Sequence, residues 1–403
     1  MARGRGGFIG QDGLNAPDSP TAVSGTAGNT TVSVAFTAPT DVGGSAITGY
    51  RAQSNTGVGA SGTSSPINVT GLSNGTTYTF NVWAINAFGY SAPSDASTGV
   101  APALPQQAFI AGGYAETGSS ASATIDVITI TSTGNGTDFG DLSEGQYSGA
   151  SASSTTRGLI MGGSVNLGSQ SYKRCLYLTL SSGGTQATFG NLIVGANAQP
   201  AGCGNSTRAL KGGGDGASVL NNIEYFTIAS TGDGTDFGDL TVARKQLTAA
   251  SNSTRGIWAG GRDSSNTNTL DYVTIASTGN ATDFGDLVTT YRRQAGAAGS
   301  SRVLWGTGRD GGGFTAGTEY NTIASTGNAA DFGNLTVARE GAGGAAGETR
   351  CIFAGGFNGS SYQNVIDYHT TASLGTGTDF GDLTEQKGEL GNMAMSNSHG
   401  GLQ

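Results

Sequence analysis

Charge is scarce in this chain: Asp, Glu, Lys and Arg make up 12% of its 403 residues, and Lys plus Arg number only 19. With a formal charge of -9, a nucleic-acid backbone is excluded as the main partner, because a phosphate tract needs a basic stripe to bind it. Two histidines, His369 and His399, leave little material for metal or acid–base chemistry, so neither a metal nor a cofactor is expected. The three cysteines, Cys175, Cys203 and Cys351, are odd in number and irregularly spaced, which gives no disulfide framework; they read as small apolar strand residues. No run of about 18 apolar residues exists, so no membrane insertion is expected. Met1 to Arg5 carries the basic residues of an export signal, but Gly6-Gly7-Phe8-Ile9-Gly10 is no hydrophobic core for one, and conventional export is not expected.

What is abundant is glycine, at 71 residues with only 8 prolines and no G-X-Y period, which rules out collagen and points to tight turns and closely packed strands. Thr, Ser, Val, Ile, Phe and Tyr dominate the patterned stretches, so the fold class is all-β. Residues 1–16 form a glycine-rich arm too poor in apolar groups to fold alone. A frayed terminus is the plain reading. The sharper one is an anchoring peptide in which Phe8 and Ile9 dock into a partner while Arg3 and Arg5 meet acidic groups.

Residues 17–102 alternate in short strands, such as Val32 to Phe36, Ile47 to Gln53 and Tyr78 to Ala84, broken by Gly, Pro, Asn and Ser turns. That rhythm predicts a small sandwich. Leu72, Tyr78, Phe80, Val82, Ala84, Asn86, Gly89 and Ser91 follow the pattern of a fibronectin type III domain, which this segment resembles. The resemblance implies that Tyr78 is a corner residue with its hydroxyl tied to nearby backbone, and that Phe36 stands where the family usually has Trp. No Arg-Gly-Asp sequence is present, so the expected role is a spacer or docking module.

Residues 106–403 repeat. The phrase Asp236-Phe237-Gly238-Asp239-Leu240 returns around Phe139, Phe189, Phe284, Phe332 and Phe380 at intervals of 47 to 50 residues, a period typical of propellers. Twelve residues before each Phe stand Val127, Tyr177, Tyr225, Tyr272, Tyr320 and Tyr368. The residues before these are Asp126, Leu176, Glu224, Asp271, Glu319 and Asp367. Glycine pairs precede them, with Thr307-Gly308 the exception, and Thr/Ser-Arg dipeptides at Arg157, Arg208, Arg255, Arg302 and Arg350 come earlier still. These columns resemble the kelch repeat, with Phe in place of its usual Trp, and with the family's later Arg matched by Arg244 and Arg339 and roughly by Arg292. The resemblance implies a six-bladed β-propeller, each blade a four-stranded sheet. The first unit lacks a leading strand, and Asn392 to Asn397 aligns with Thr248 to Ser253, so the C-terminal strand is expected to complete blade one and close the ring. Small residues in the leading strands, as in Ala295 to Ser300, suit crowding at a propeller axis.

Each chemical motif has a structural counterpart. Asp-Phe-Gly is the magnesium element of protein kinases, but its recurrence on a blade period makes the Phe a core aromatic. Asp233, Asp236 and Asp239 could offer calcium ligands, yet Asn135, Asn280 and Asn328 replace the first of them elsewhere, so a structural turn is expected. A copper oxidase of the kelch type needs a cysteine–tyrosine pair beside His369 and His399, and sialidase-type Asp boxes are absent. The Thr/Ser-Arg arginines are expected to pair with the acidic residue before the Tyr. Tyr114 to Ser122, Arg262 to Thr269 and Phe357 to Gln363 vary most between units, and variable loops on a repeated scaffold are where recognition is placed. Low charge and abundant Gly, Ser, Thr and Asn are similar in style to bacteriophage tail and virion proteins. The expectation is a non-enzymatic virion surface protein whose partners are other virion structural proteins and a host-surface glycan or protein. The alternative is an extracellular carbohydrate-active or oxidising propeller enzyme.

Overall fold

The computed structural model describes residues 15–116, 120–165, 170–171, 173–183, 186–194 and 198–402. The chain divides into two compact units, Met1–Pro105 and Gln106–Gln403. Arg3, Arg5, Phe8 and Ile9, the expected anchor, lie outside the described residues.

In the first unit, β1 (Thr21–Gly28), β2 (Thr31–Thr37) and β5 (Ile67–Thr70) form one sheet, and β3 (Gly49–Ser54), β4 (Gly59–Gly62), β6 (Phe80–Asn86) and β7 (Gly89–Tyr90) form the other. Alternation in β2 and β6 sends Val32, Val34, Phe36, Phe80, Val82 and Ala84 into one core. The corner reading of Tyr78 holds: its Oη accepts the Ser73 N–H at 3.1 Å. Phe36 stands at the Trp position and packs against Tyr50 with tilted rings, centroids 4.7 Å apart. Beyond β7 the chain runs beside β6 without a regular ladder. Ser91, Ser94 and Ser97 each accept a backbone N–H of β6 through Oγ, from Ala84, Val82 and Phe80 in turn, at 2.9 to 3.0 Å.

In the second unit the described residues form six four-stranded antiparallel sheets. The fourth is representative: Thr248–Ser251, Arg255–Ala259, Thr267–Thr274 and Thr282–Tyr291, in that order. In the first sheet the leading position is filled by Ala394–Ser396, which pairs antiparallel with Gln107–Ala111 and sets Met395 opposite Phe109. The tail therefore supplies the strand that the first repeat lacks. Apolar clusters join neighbouring sheets in series: Phe109 with Ile160, Leu159 with Phe226, Leu210 with Trp258, Ile257 with Trp305, Leu304 with Phe353, and Ile352 with Ile110.

The recurring Phe-Gly phrase is explained by contacts between sheets. Each Gly after the Phe sits at or beside an irregularity in the ladder, and most have φ near +140°. A Cβ at Gly238 would stand 2.4 Å from the Gly279 carbonyl oxygen, and one at Gly381 would stand 2.5 Å from that of Gly134. The same turns donate back, Gly279 N–H to Phe237 O at 2.7 Å and Gly134 N–H to Phe380 O at 2.8 Å. Asn280 and Asn135 add side-chain bonds to the backbone of Asp239 and Asp382. Only glycine meets both demands, a left-handed backbone and a neighbour at carbonyl distance.

Candidate functional site

Antiparallel order puts two features at one end of every sheet of the second unit: the start of the leading strand and the hairpin between the second and third strands. The entry residues Ser148, Gln199, Gln246, Arg293, Gly341 and Glu389 all have φ between 51° and 67°. Five of these are not glycine, and a left-handed backbone there persists only where the surroundings impose it. What imposes it is a series of backbone bonds from sheet to sheet. Gly341 N–H donates to Arg293 O, Arg293 to Gln246, Gln246 to Gln199, Gln199 to Ser148 and Ser148 to Glu389, at 2.8 to 3.1 Å, while Leu390 N–H donates to Gly341 O at 3.0 Å.

Around this series stand the hairpins. Residues Asp215, Arg262, Arg309 and Phe357 open four of them and pair across to Ala198, Lys245, Arg292 and Glu340, the residues just ahead of the entry positions. Tyr114–Ala115 pairs with Lys387–Gly388 in the same way. The three loops singled out for variability all belong to this set. Tyr147, Tyr114, Tyr362, Phe357 and Phe314 form an unbroken row along it, with successive ring centroids 5.1 to 5.8 Å apart. The axial spaces are small: a cavity of about 50 Å³ among the leading strands and one of about 20 Å³ among the entry residues. Neither has room for a sugar, so near the axis anything larger is left to the hairpin rim; larger open hollows, of about 420 and 170 Å³, lie between Asn191 and Asp233 and beside Tyr272 and Asn280.

The axis itself is filled by the chain's own end. Gly400 and Gly401 approach so closely that added Cβ atoms would stand 2.0 Å from Gly299 O and 2.1 Å from Gly204 O. His399 Nδ1 accepts the Gly401 N–H, so Nε2 carries the proton and donates to Ser153 O at 3.0 Å. His369 is elsewhere, buried between Phe332 and Phe353 with Nε2 3.1 Å from Thr318 Oγ1. The histidines thus have separate, packed surroundings, and each has a hydrogen-bonding partner. Cys175, Cys203 and Cys351 are free and buried, and burial raises each thiol's pKa.

Burial pulls the His369 pKa from 6.5 to about 4, against the opposing charge of Asp367. The unfolded chain takes up this proton near pH 6.5 and the folded chain near pH 4, so the stability involved is complete above 6.5 and is lost as pH falls towards 4. Urea melts at pH 7 and pH 4.5 are expected to show this loss. His369→Gln should remove about 2 kcal/mol of the difference, and an identical pH slope in the variant would refute the assignment.

One sequence expectation is corrected. The Thr/Ser-Arg arginines do not pair with the acidic residue before the Tyr. Each stacks on the Tyr itself, as Arg208 does on Tyr225 at 4.7 Å and Arg350 on Tyr368 at 4.6 Å. Each then donates to a carbonyl of the next sheet, Arg208 to Ile275 at 2.8 Å and Arg350 to Ile130 at 3.1 Å. The reason is register: Arg208 lies opposite Thr227 and Leu210 opposite Tyr225, so the arginine reaches the ring from two residues away on the same face. The carboxylates pair with cations from other positions, wholly buried: Arg244–Asp271 at 2.6 Å, Arg339–Asp367 at 2.7 Å, Lys387–Asp126 at 2.7 Å and Lys211–Glu224 at 3.3 Å.

Arg292 is also reassigned. The backbone position of Arg244 and Arg339, whose carbonyl accepts the second glycine's N–H, is held in the fourth sheet by Tyr291. Arg292 is displaced outward to the position of Lys245 and Glu340. Glu319, which makes no ion pair among the described residues, accepts the Val288 N–H at 2.8 Å, and burial raises its pKa.

The molecule is thus an all-β chain with a small sandwich and a propeller-like unit of six sheets. Residues 16–100 match the family model of the fibronectin type III domain. Among solved structures the chain is similar to one titled "Structure of YjhT", a β-propeller-like protein, at 12% identity and a TM-score of 0.52, over 60% of this chain and 86% of that one. At that identity the likeness concerns the fold alone. No curated protein matches.

Proposed function

We propose that the protein is a non-enzymatic structural and binding component of a virus particle, a tail fibre or another surface element, and that its six repeats are of the kelch type. In this reading the N-terminal segment and the fibronectin-like unit serve attachment to other virion proteins. The propeller-like unit serves binding to a host-surface glycan or protein.

The observation that carries the reading is the division of labour within each repeat. The recurring Phe-Gly turns, stacked arginines and buried ion pairs are engaged in contacts between or within sheets. The hairpins at one end share a backbone geometry, while the residue that opens them varies, from Tyr114 to Asp215 to Arg262 and Arg309 to Phe357. A rigid frame with divergent tips is the arrangement of a binding module. The virion assignment adds the composition, poor in charge and rich in Gly, Ser, Thr and Asn.

The test is mass spectrometry of purified particles from a host that carries the coding sequence. The protein is expected among the particle proteins in stoichiometric amount, and its absence from them would end the virion reading. Bound copper or turnover of a glycan by the pure protein would favour the enzyme alternative instead.

A further inference from the structure

The rim of the fourth and fifth sheets carries three arginines whose guanidinium groups make only local contacts, Arg262 Nε to Asp263 O at 3.4 Å and Arg309 over Phe314 at 4.9 Å. Elsewhere arginines are committed: Arg208 and Arg350 to a ring and a carbonyl, Arg244 and Arg339 to buried carboxylates. Arg262, Arg292 and Arg309 are half-buried, and among the described residues none of them makes an ion pair. Backbone pairing holds them together. Arg292 N–H donates to Arg309 O at 3.1 Å and Arg309 N–H to Arg292 O at 2.9 Å, while the Arg262 hairpin reaches across through Asn266 Nδ2 to Arg309 O at 3.1 Å.

The nearby carboxylates are engaged in part, with Glu340 Oε2 buried and without a hydrogen-bond partner among the described residues and Asp263 exposed beside Arg262. Asp310 Oδ1 accepts the N–H groups of Gly312 and Gly313, and Glu340 and Glu389 both hold Arg293, at 3.2 and 2.7 Å. Partial burial lowers the Arg292 pKa, Glu340 opposes it, and Arg262, Arg309 and Arg293 lower it further. Like charges therefore converge here in a protein whose formal charge is -9. Beside them runs the aromatic row, joined to the cations where Arg309 lies over Phe314 at 4.9 Å.

We propose that this patch binds an anionic saccharide, a sugar bearing carboxylate or phosphate oxygens. Guanidinium groups match such oxygens in bidentate geometry, and half-buried rings beside them offer flat faces to the C–H side of a sugar. An anion would also relieve the mutual repulsion of the arginines. The inference rests on the binding role proposed above and names its site and the charge of its ligand.

The probes are dextran, carboxymethyl-dextran and dextran phosphate, titrated into the full chain by biolayer interferometry. The charged polymers are expected to bind with affinity that falls as salt rises, and neutral dextran to bind about tenfold more weakly or less. Comparing the carboxymethyl and phosphate arms identifies the preferred anion. Arg292→Gln with Arg309→Gln should weaken binding about tenfold at an unchanged melting temperature. Arg292→Gln alone removes no hydrogen bond, cannot be blamed on misfolding, and should cost about threefold. Arg51→Gln, at an exposed position of the sandwich, should change nothing.

Absence of binding, indifference of binding to the Arg292 and Arg309 variants, or an equal loss in Arg51→Gln would overturn the proposal. If particles contain the protein but no polymer binds, the saccharide inference falls and the virion reading stands. Arginine-dependent binding by a protein absent from particles supports the patch and removes the virion reading alone.

Discussion

Truncation after Gly391 is expected to lower the melting temperature of the propeller-like unit by roughly 10 °C or more. The lost segment contains the leading strand of the first sheet, Ala394–Ser396, so the edge of Gln107–Ala111 is laid open to solvent and to pairing with other chains. Met393 and Met395 are buried between the first and second sheets, and each such side chain contributes roughly 1.5–3 kcal/mol. Asn392 does more than its own strand requires. Its Oδ1 accepts from Thr248 Oγ1 and Ala249 N–H at 3.1 and 3.2 Å, and its Nδ2 donates to Leu247 O at 3.2 Å, which fastens the tail to the entry of the fourth sheet. On the other side, Ser151 Oγ donates to Ala394 O at 2.8 Å and Ser153 Oγ to Ser396 O at 2.7 Å. Differential scanning calorimetry of the truncated chain should show the propeller-like transition shifted down, with the fibronectin-like transition in place. Asn392→Ala in the intact chain should reproduce a smaller part of the shift. An unchanged melting temperature after truncation would mean that the tail does not fasten the ends of the six-sheet series.

The architecture was legible in the sequence because its physical demands repeat. A glycine pair is needed wherever the second strand turns into its hairpin: a Cβ at Gly112 would stand 2.2 Å from Gln146 O, and one at Gly355 would stand 2.5 Å from Lys387 O. Those pairs therefore recur as a visible column. Thr307, the exception, takes φ of +61° with a side chain attached. The roles of the arginines were less legible, because spacing identifies a column without identifying its partner. Arg208 could reach a carboxylate or a ring, and only strand register decides for the ring. The arginine patch was hidden for a second reason. Arg292 reads as a weak copy of Arg244 until the pairing of Gly261 with Tyr291 shows that the column has slipped by one residue. The hairpin tips show their variability in the sequence, but the row from Tyr147 to Phe314 joins residues far apart in the chain.

Asp367→Ala is expected to destabilise the propeller-like unit by about 3–5 kcal/mol, the usual cost of leaving a buried charge without its partner. Arg339 and Asp367 are both wholly inaccessible, and their ion pair of 2.7 Å links the end of one repeat to the third strand of the next. Burial lowers the Arg339 pKa, and the charge and hydrogen bond of Asp367 oppose the shift. Asp367 Oδ1 also accepts from Thr336 Oγ1 at 2.5 Å, while Arg339 Nη2 donates to Phe353 O at 3.1 Å. The arrangement recurs with Arg244, Asp271 and Thr241, and with Lys387, Asp126 and Thr384. Desolvation offsets much of the attraction within such a pair, so removing both charges is far milder than removing one and leaving the other buried alone. Arg339→Leu with Asp367→Leu should recover most of the loss caused by Asp367→Ala, measured by urea unfolding at pH 7. If the double variant is instead as unstable as the sum of its single variants, the two groups are not acting as a pair. The charges would then have to be explained by independent contacts to Thr336 and Phe353.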